Sequence, residues 1–228
     1  MASNYRLEYA VDLVLCIDAT SSMGPVIKMV KQNALNFYRD LMEVMEAKNK
    51  HVAGLRVRVI AFRDYKYDRE DAMLVTDFFD LPAQSGEFEA CVRSIEPMGG
   101  GDDPEDGLEA LAYAMKSKWN RQAQKKRHVI AVWSDDGTHE LGFGKEAPNY
   151  PNGMAKDFYE LTQWWGTRMN PGVMDDSAKR LLLFTPNQPH WTTIRDTWNN
   201  VIQYESVAGN GLIEHDYKQI LNAITNTI

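Results

Sequence analysis

The chain has 228 residues, of which 44% are hydrophobic, and its formal net charge is −7. This length and hydrophobic content allow a sizeable buried core, and we expect a single domain spanning residues 1–228. The negative charge argues against a duplex nucleic-acid partner, which needs a basic face to offset its phosphates. No run of eighteen apolar residues occurs, so we expect no membrane-spanning helix and no membrane partner.

The opening residues, MASNYRLEYA, lack the basic segment and apolar segment of a secretory signal. We therefore expect a cytoplasmic chain. Two cysteines, Cys16 and Cys91, have neither the spacing of a metal site nor that of a disulfide framework.

Strand-length apolar runs alternate with stretches of helical period along the chain. Strands are predicted over residues 11–17, 55–62, 73–79, 128–133, 181–184 and 201–207. Helices are predicted over residues 26–44, 87–95, 104–119, 157–165 and 215–224, with one more between the last two strands. This alternation predicts an α/β, Rossmann-like, doubly wound fold. We expect a mainly parallel six-stranded sheet with one antiparallel edge strand and helices on both faces.

Small polar and acidic residues mark the starts of two of these helices. Ser22 is a candidate cap of the first helix, and Pro25 fits its first turn. Asp103 is a candidate cap of the helix over residues 104–119. Capping and the helix dipole account for Asp103, Glu105 and Asp106, so we do not count them as metal ligands.

Oxygen-bearing side chains gather in three loops at or near predicted strand ends. Asp18, Thr20 and Ser22 follow the first strand, residues 99–103 read GGGDD, and Asp135 follows a different strand within SDDG. Ligands of open α/β sheets bind outside the carboxyl ends of the strands. Hard oxygen donors of this kind suit Mg²⁺ or Mn²⁺. Each loop alone is also explained as a helix cap or a turn, but together they predict a divalent metal site.

These residues resemble the metal-ion-dependent adhesion site (MIDAS) of von Willebrand factor type A (vWA) domains. That family carries D-x-S-x-S after its first strand, which Asp18, Thr20 and Ser22 match with Thr in place of the first Ser. The GGGDDPE stretch is similar to an intracellular subgroup with a GGGDxPE loop, in which Asp102 takes the place of a Thr. SDDGTHELG, which contains Asp135, and the FRDY of residues 62–65 also fit this subgroup. The resemblance covers nearly the whole chain.

The resemblance implies a role for each residue. Thr20 and Ser22 would bind the ion directly, and Asp18, Asp102 and Asp135 directly or through water. The ion would be Mg²⁺, with Mn²⁺ or Ca²⁺ as alternatives, and one open position would accept an acidic side chain of another protein. Because Asp102 adds a negative charge, we expect firmer metal retention and weaker attraction for an acidic ligand than at a Thr-type site.

The leading functional hypothesis is a non-catalytic, metal-dependent scaffold or adaptor module that binds a partner protein. The resemblance implies a partner that is an ATPase, a kinase or a phosphatase. The alternative is an Mg²⁺-dependent phosphatase or phosphotransferase of the haloacid-dehalogenase type, with Asp18 as its nucleophile. Against this enzyme, Thr20 stands where its general acid would be Asp, and a helix rather than a flap follows the first strand. A third hypothesis is an ion that only stabilises the loops.

Several other conspicuous residues are explained without a functional site. We interpret His139 as a hydrogen-bonded loop histidine rather than a ligand, and Trp133 as a core residue. The tryptophans at 164, 165, 191 and 198 are candidates either for burial or for anchoring a partner.

Overall fold

Strands and helices alternate along residues 8–101 and 104–228, the part of the chain that this computed structural model describes. The strands are β1 (Glu8–Asp18), β2 (His51–Phe62), β3 (Met73–Val75), β4 (Phe79–Leu81), β5 (Lys126–Trp133), β6 (Lys179–Thr185) and β7 (Val201–Glu205). The α-helices are α1 (Gly24–Asn33), α2 (Phe37–Ala47), α3 (Ser85–Ser94), α4 (Gly107–Met115), α5 (Phe158–Trp165), α6 (Trp191–Thr197) and α7 (Tyr217–Thr227).

All seven strands belong to one sheet. Its order is β3-β2-β1-β5-β6-β7, with β4 also paired to β2. The strands β2, β1, β5, β6 and β7 are parallel to one another, and β3 and β4 run antiparallel to β2. The predicted Rossmann-like α/β sheet with an antiparallel edge is therefore confirmed.

The predicted number of six strands is wrong, because the edge strand expected over residues 73–79 is two short strands. β3 pairs with Ile60–Phe62 and β4 with Leu55–Val57. Between them, the Thr76 hydroxyl bonds the backbone of Val59 and of Asp77. Such side-chain bonds compete with the regular ladder, so the edge is interrupted there.

Helices cover both faces of the sheet, because successive side chains of β1 point to opposite faces and are buried on both. Leu13, Leu15 and Ile17 belong to the core shared with α1, α2, α3 and α7. Val14 and Cys16 belong to the core shared with α4, α5 and α6. None of the helices in the described ranges has both the length and the apolar character to cross a bilayer.

Two predicted helices differ from the observed ones. The helix predicted over residues 26–44 is divided into α1 and α2 by a 3-10 turn at Ala34–Asn36. There the side-chain amide of Asn33 donates to the Met29 carbonyl at 2.7 Å. In a regular helix the backbone N–H of residue 33 would bond this carbonyl, so the side chain competes with the helix and favours an interruption. The helix predicted over residues 104–119 extends only over Gly107–Met115, because Glu105 pairs with Thr138 in an isolated β-bridge and the helix begins after it.

The strand order reverses at β1. The chain passes from β1 to β2 on one side and later to β5 on the other side of β1. The crevice at the carboxyl ends of β1 and β5 is therefore the switch point where sheets of this kind bind ligands.

Candidate metal centre

The sequence-predicted ligands of the first and third loops lie at this switch point. Asp18 is the last residue of β1, and Asp135 lies two residues beyond the end of β5. Thr20 and Ser22 occupy the connection from β1 to α1. The strand order thus brings together two carboxylates that are far apart in the sequence.

Hydrogen bonds link these four side chains into one continuous group. Thr20 donates from its hydroxyl to Asp18 Oδ1 at 2.6 Å, and its backbone N–H donates to the same oxygen at 3.0 Å. Ser22 donates to Asp135 Oδ1 at 2.9 Å, and the two hydroxyl oxygens lie 3.4 Å apart. A hydroxyl that donates its proton to a carboxylate keeps its lone pairs for a cation. The arrangement is therefore suited to hold a hard divalent ion.

The prediction that Ser22 caps the first helix is wrong. The helix cap positions before the 3-10 turn Ser21–Met23 and before α1 are Thr20 and Met23, and neither makes a side-chain capping bond. The Ser22 hydroxyl bonds the carboxylate of Asp135 across the crevice instead.

Both carboxylates are buried, Asp18 with 0% of its surface exposed and Asp135 with 1%. Within residues 8–101 and 104–228, neither has an ion pair with a basic side chain. Burial raises the pKa of Asp18 from 3.8 to about 6, and the charge of Asp135 adds to the rise, while hydrogen bonds from Thr20 and Ser134 oppose it. Buried carboxylates of this kind are stabilised by a metal ion. The donor set and its charge therefore fit a divalent cation.

Asp135 is held in place by the loop after β7. Gly211 donates its N–H to Asp135 Oδ2 at 2.7 Å, and Gly209 donates to the Asp135 carbonyl at 2.8 Å. Sequence reasoning missed this support, and it also missed Ser134, which donates to Asp18 Oδ2 at 2.8 Å. One oxygen of each carboxylate thus accepts a hydrogen bond from a residue that is not a predicted ligand.

The predicted ligand Asp102 and its neighbour Asp103 lie outside the described residues. The part of the glycine-rich loop that precedes them lies beside Thr20. A Cβ at Gly100 would be 3.5 Å from the Thr20 side chain, and Gly99 and Gly100 have φ angles of 78° and 84°, which favour glycine.

Arg63 connects this loop to the first one. Its Nε donates to the carbonyls of Ala19 at 3.0 Å and Met98 at 2.9 Å. Its other nitrogens donate to the carbonyls of Asp71 and Glu96. The arginine of FRDY is therefore a clamp that bonds backbone carbonyls and keeps the glycine-rich loop next to the first loop.

Glu105 and Asp106 lie directly before α4, where the dipole interpretation places them, but the Asp106 side chain makes no capping bond to that helix. Both are buried, with 3% and 0% of their surfaces exposed, and Asp106 accepts a hydrogen bond from the backbone N–H of Tyr65 at 2.7 Å. Their positions before a helix concealed this role, because acidic residues are common there for electrostatic reasons.

The hydrogen bond expected for His139 is confirmed, since its Nε2 lies 2.9 Å from Asp64 Oδ2. Trp133 is a core residue, as expected. The side chains of Trp165, Trp191 and Trp198 are also buried, which favours the packing explanation for them.

The environment of Asp18 is unfavourable for the haloacid-dehalogenase alternative. Both of its carboxylate oxygens accept hydrogen bonds, from Thr20 and Ser134, and its side chain has no exposed surface. An aspartyl nucleophile must instead reach the phosphorus of its substrate.

No protein-family model matches the chain. In sequence, it is 26% identical over 148 residues to the alpha-protein kinase vwkA of Dictyostelium discoideum, a match that covers 65% of this chain and 22% of the kinase. In structure, it is similar to the pilus adhesin SpaC of Lactobacillus rhamnosus GG, with a TM-score of 0.52 and 12% identity. That similarity covers 98% of this chain and 30% of the adhesin.

A partial structural similarity links the chain to the vWF domain of the type V pili tip protein Mfa5 of Porphyromonas gingivalis. Its TM-score is 0.37 at 21% identity, and it covers 58% of this chain and 40% of that structure. The chain spans less than a third of the length of the kinase and of the adhesin SpaC. The similarity to SpaC, which extends over nearly the whole chain, shows a shared fold.

Proposed function

We propose that the chain is a vWA-type module that binds a partner protein through a divalent ion held by Asp18, Thr20, Ser22, Asp102 and Asp135. The observation that carries the proposal is the convergence of four oxygen donors from two strand ends, with both carboxylates buried. Mg²⁺ is the preferred ion because all the donors are hard oxygens, and Mn²⁺ or Ca²⁺ would be accepted by the same donors.

The exposure of the donors supports a role in recognition beyond stabilisation of the loops. Asp18 and Asp135 are buried, whereas Ser22 is exposed. An ion bound between them would have protein on one side and solvent on the other, so a carboxylate of a partner could complete its coordination. Three carboxylates would leave the site about one unit negative, which predicts moderate affinity for an acidic partner.

The partner class is proposed from the chain's relatives. The sequence match to a protein named as an alpha-protein kinase supports a kinase as the partner or the neighbouring domain. An ATPase or a phosphatase is the other choice that the vWA resemblance implies, and a cytoplasmic location fits all three.

The first experiment is a calorimetric titration of metal-stripped protein with Mg²⁺, comparing Ser22→Ala with Ser21→Ala. The two serines are exposed neighbours in one 3-10 turn, but Ser21 bonds the Gly99 carbonyl whereas Ser22 bonds Asp135. Ser22→Ala should weaken Mg²⁺ binding about tenfold or more, and Ser21→Ala should bind like the wild type. Equal affinities for the two variants would refute the assigned ligand set.

The second experiment tests recognition. A partner that the wild type retains in Mg²⁺ should be released by a chelator, lost with Ser22→Ala and kept with Ser21→Ala. Retention in the presence of chelator would contradict metal-mediated binding. Release of phosphate from a generic ester by the wild type, but not by Asp18→Ala, would instead revive the phosphatase alternative.

A further inference from the structure

A second group of metal-ligating side chains lies outside the site described above. Asp64 follows β2, Asp106 precedes α4, and His139 follows β5. One ligand atom from each lies within 4.8 Å of the others. The exposed fractions are 0% for Asp64, 0% for Asp106 and 8% for His139. We refer to these three residues as the Asp64 cluster.

Backbone contacts fix the cluster in position. The N–H of Lys66 donates to Asp64 Oδ1 at 2.5 Å, and that of Tyr65 donates to Asp106 Oδ2 at 2.7 Å. The backbone N–H of His139 donates to the Glu105 carbonyl at 2.9 Å. Hydrogen bonds from outside the ligand set orient metal ligands in this way.

The ring of His139 is also held by packing. It stacks on Phe143 with the ring centroids 3.8 Å apart and an interplanar angle of 18°. Its Nε2 lies 2.9 Å from Asp64 Oδ2. Ligands at right angles around an ion with bonds of 2.0–2.1 Å are about 2.9 Å apart, and tetrahedral ligands about 3.4 Å apart. The Nε2–Oδ2 distance is that of a hydrogen bond, and a tetrahedral ion would need the two atoms about 0.5 Å further apart.

A buried carboxylate next to the cluster has a free oxygen. Glu109 lies one helical turn after Asp106, on the same side of α4, and its side chain is 0% exposed. Its Oε1 accepts hydrogen bonds from the Gly142 N–H at 2.7 Å and the Tyr150 hydroxyl at 2.9 Å. Its Oε2 is buried and has no hydrogen-bond partner among the residues that the structure describes. Burial raises the pKa of Glu109, and the nearby charge of Asp64 raises it further.

A second buried carboxyl group, Glu105, lies next to Asp106 in the chain and holds its proton at neutral pH. Glu105 is 3% exposed, and its Oε2 has no hydrogen-bond partner within residues 8–101 and 104–228. Burial raises its pKa from 4.5 to about 9, with contributions from the charges of Asp18, Asp68 and Asp64. Buried negative charge of this density is unfavourable unless a cation or protons offset it.

We propose that Asp64, Asp106 and His139 bind a second divalent ion, of the Zn²⁺ class. Two carboxylates and one imidazole form a mixed oxygen and nitrogen donor set, which suits zinc better than magnesium. Asp64, Asp106 and a divalent ion sum to no net charge, so the ion removes the repulsion between the two carboxylates. The ion would join three segments that are distant in the sequence.

A surface pocket lies beside the cluster. An open pocket of about 850 Å³ is lined by Tyr65, Phe143 and Gly144 among other residues. Tyr65 is adjacent to Asp64 in the chain, and Phe143 stacks on His139. An added Cβ at Gly144 would lie 3.3 Å from Asp106 Oδ2.

The test measures how many zinc ions the metal-stripped protein retains after loading with Zn²⁺ and gel filtration. We expect two ions in the wild type and one in Asp18→Asn, which disables only the switch-point site. We also expect one ion in His139→Asn, with a loss of affinity of about a hundredfold at the missing site. His190→Asn is the matched control, because His190 pairs only weakly with Glu140, at 3.5 Å, and it should retain both ions.

A variant that fails to fold does not end the test. Asp106→Asn is nearly isosteric and keeps an acceptor for the Tyr65 N–H, so it offers a second way to remove a ligand. In the wild type, NMR of ¹⁵N-labelled histidines should report a large shift of the His139 imidazole when Zn²⁺ is added. Retention of both ions by folded His139→Asn and Asp106→Asn, or no shift of the His139 imidazole, would overturn the proposal. Loss of an ion in Asp18→Asn alone would overturn it too, while leaving the proposed function intact.

Discussion

Replacing Arg63 should detach the glycine-rich loop from the first loop of the metal site. Arg63 is buried, with 7% of its surface exposed. Its guanidinium donates to the backbone carbonyls of Ala19, Met98, Asp71 and Glu96. The single Nε proton is shared between Ala19 and Met98, so three N–H groups donate; at about 1.5–3 kcal/mol for each bond from a charged donor, they amount to roughly 4.5–9 kcal/mol. Because water can replace Arg63 at the carbonyls of exposed residues such as Glu96 and Met98, we expect about half of this to be lost in Arg63→Met.

The assay is urea-induced unfolding of the metal-free protein, followed by circular dichroism. Arg63→Met should lower the free energy of unfolding by about 3 kcal/mol with little change in the slope. Arg63→Lys keeps the charge but lacks the planar fork, so it should recover only part of the loss. In calorimetry, Arg63→Met should also weaken Mg²⁺ binding, because it loosens the loop that carries Asp102. A free energy of unfolding within about 1 kcal/mol of the wild type would refute the clamp role.

Three further changes test other parts of the structure. Gly211→Ala should weaken Mg²⁺ binding, because the φ of Gly211 is 60° and an added Cβ would lie 2.5 Å from the Ser22 carbonyl. Calorimetry measures the affinity, and an unchanged value would contradict close packing of the loop after β7 against the metal site. Asp102→Thr should lower metal affinity by the same method because it removes a negative charge, and equal or tighter binding would refute the expected role. Burial lowers the pKa of His128 below 6.5, so the unfolded state gains a proton first as the pH falls, and stability should decline below pH 6.5 by at most about 1.4 kcal/mol per pH unit. His128→Phe should flatten this decline in unfolding experiments between pH 7 and 5.5, and an unchanged slope would exclude His128 as its source.

The sequence predicted the fold well because its signals are periodic and local. Continuous apolar runs indicated the buried parallel strands, and the three- and four-residue spacing indicated the helices. The positions of Asp18, Thr20, Ser22 and Asp135 also followed from local pattern, since strand ends of a doubly wound sheet meet at one edge. The division of the first long helix was missed, because it depends on a single side-chain bond from Asn33.

The FRDY segment shows what local pattern cannot give. Phe62 ends β2, Arg63 bonds four backbone carbonyls, Asp64 lies 2.9 Å from His139, and the backbone of Tyr65 bonds Asp106. Each of these partners is distant in the sequence or is a backbone atom, so spacing alone carries no information about it. For the same reason, acidic residues before a helix were explained by the dipole, although burial among like charges was the decisive property of Asp106.

The interrupted edge beside β2 has a consequence for the behaviour of the protein at high concentration. A continuous strand over residues 73–81 would expose a long row of unpaired backbone groups, the kind of surface on which other chains add strands and aggregate. β3 and β4 have only three residues each, and exposed Asp77 lies in the gap between them. The opposite edge, β7, has only five residues. Both borders of the sheet are thus short, so the open sheet is protected against edge-to-edge association without any covering domain.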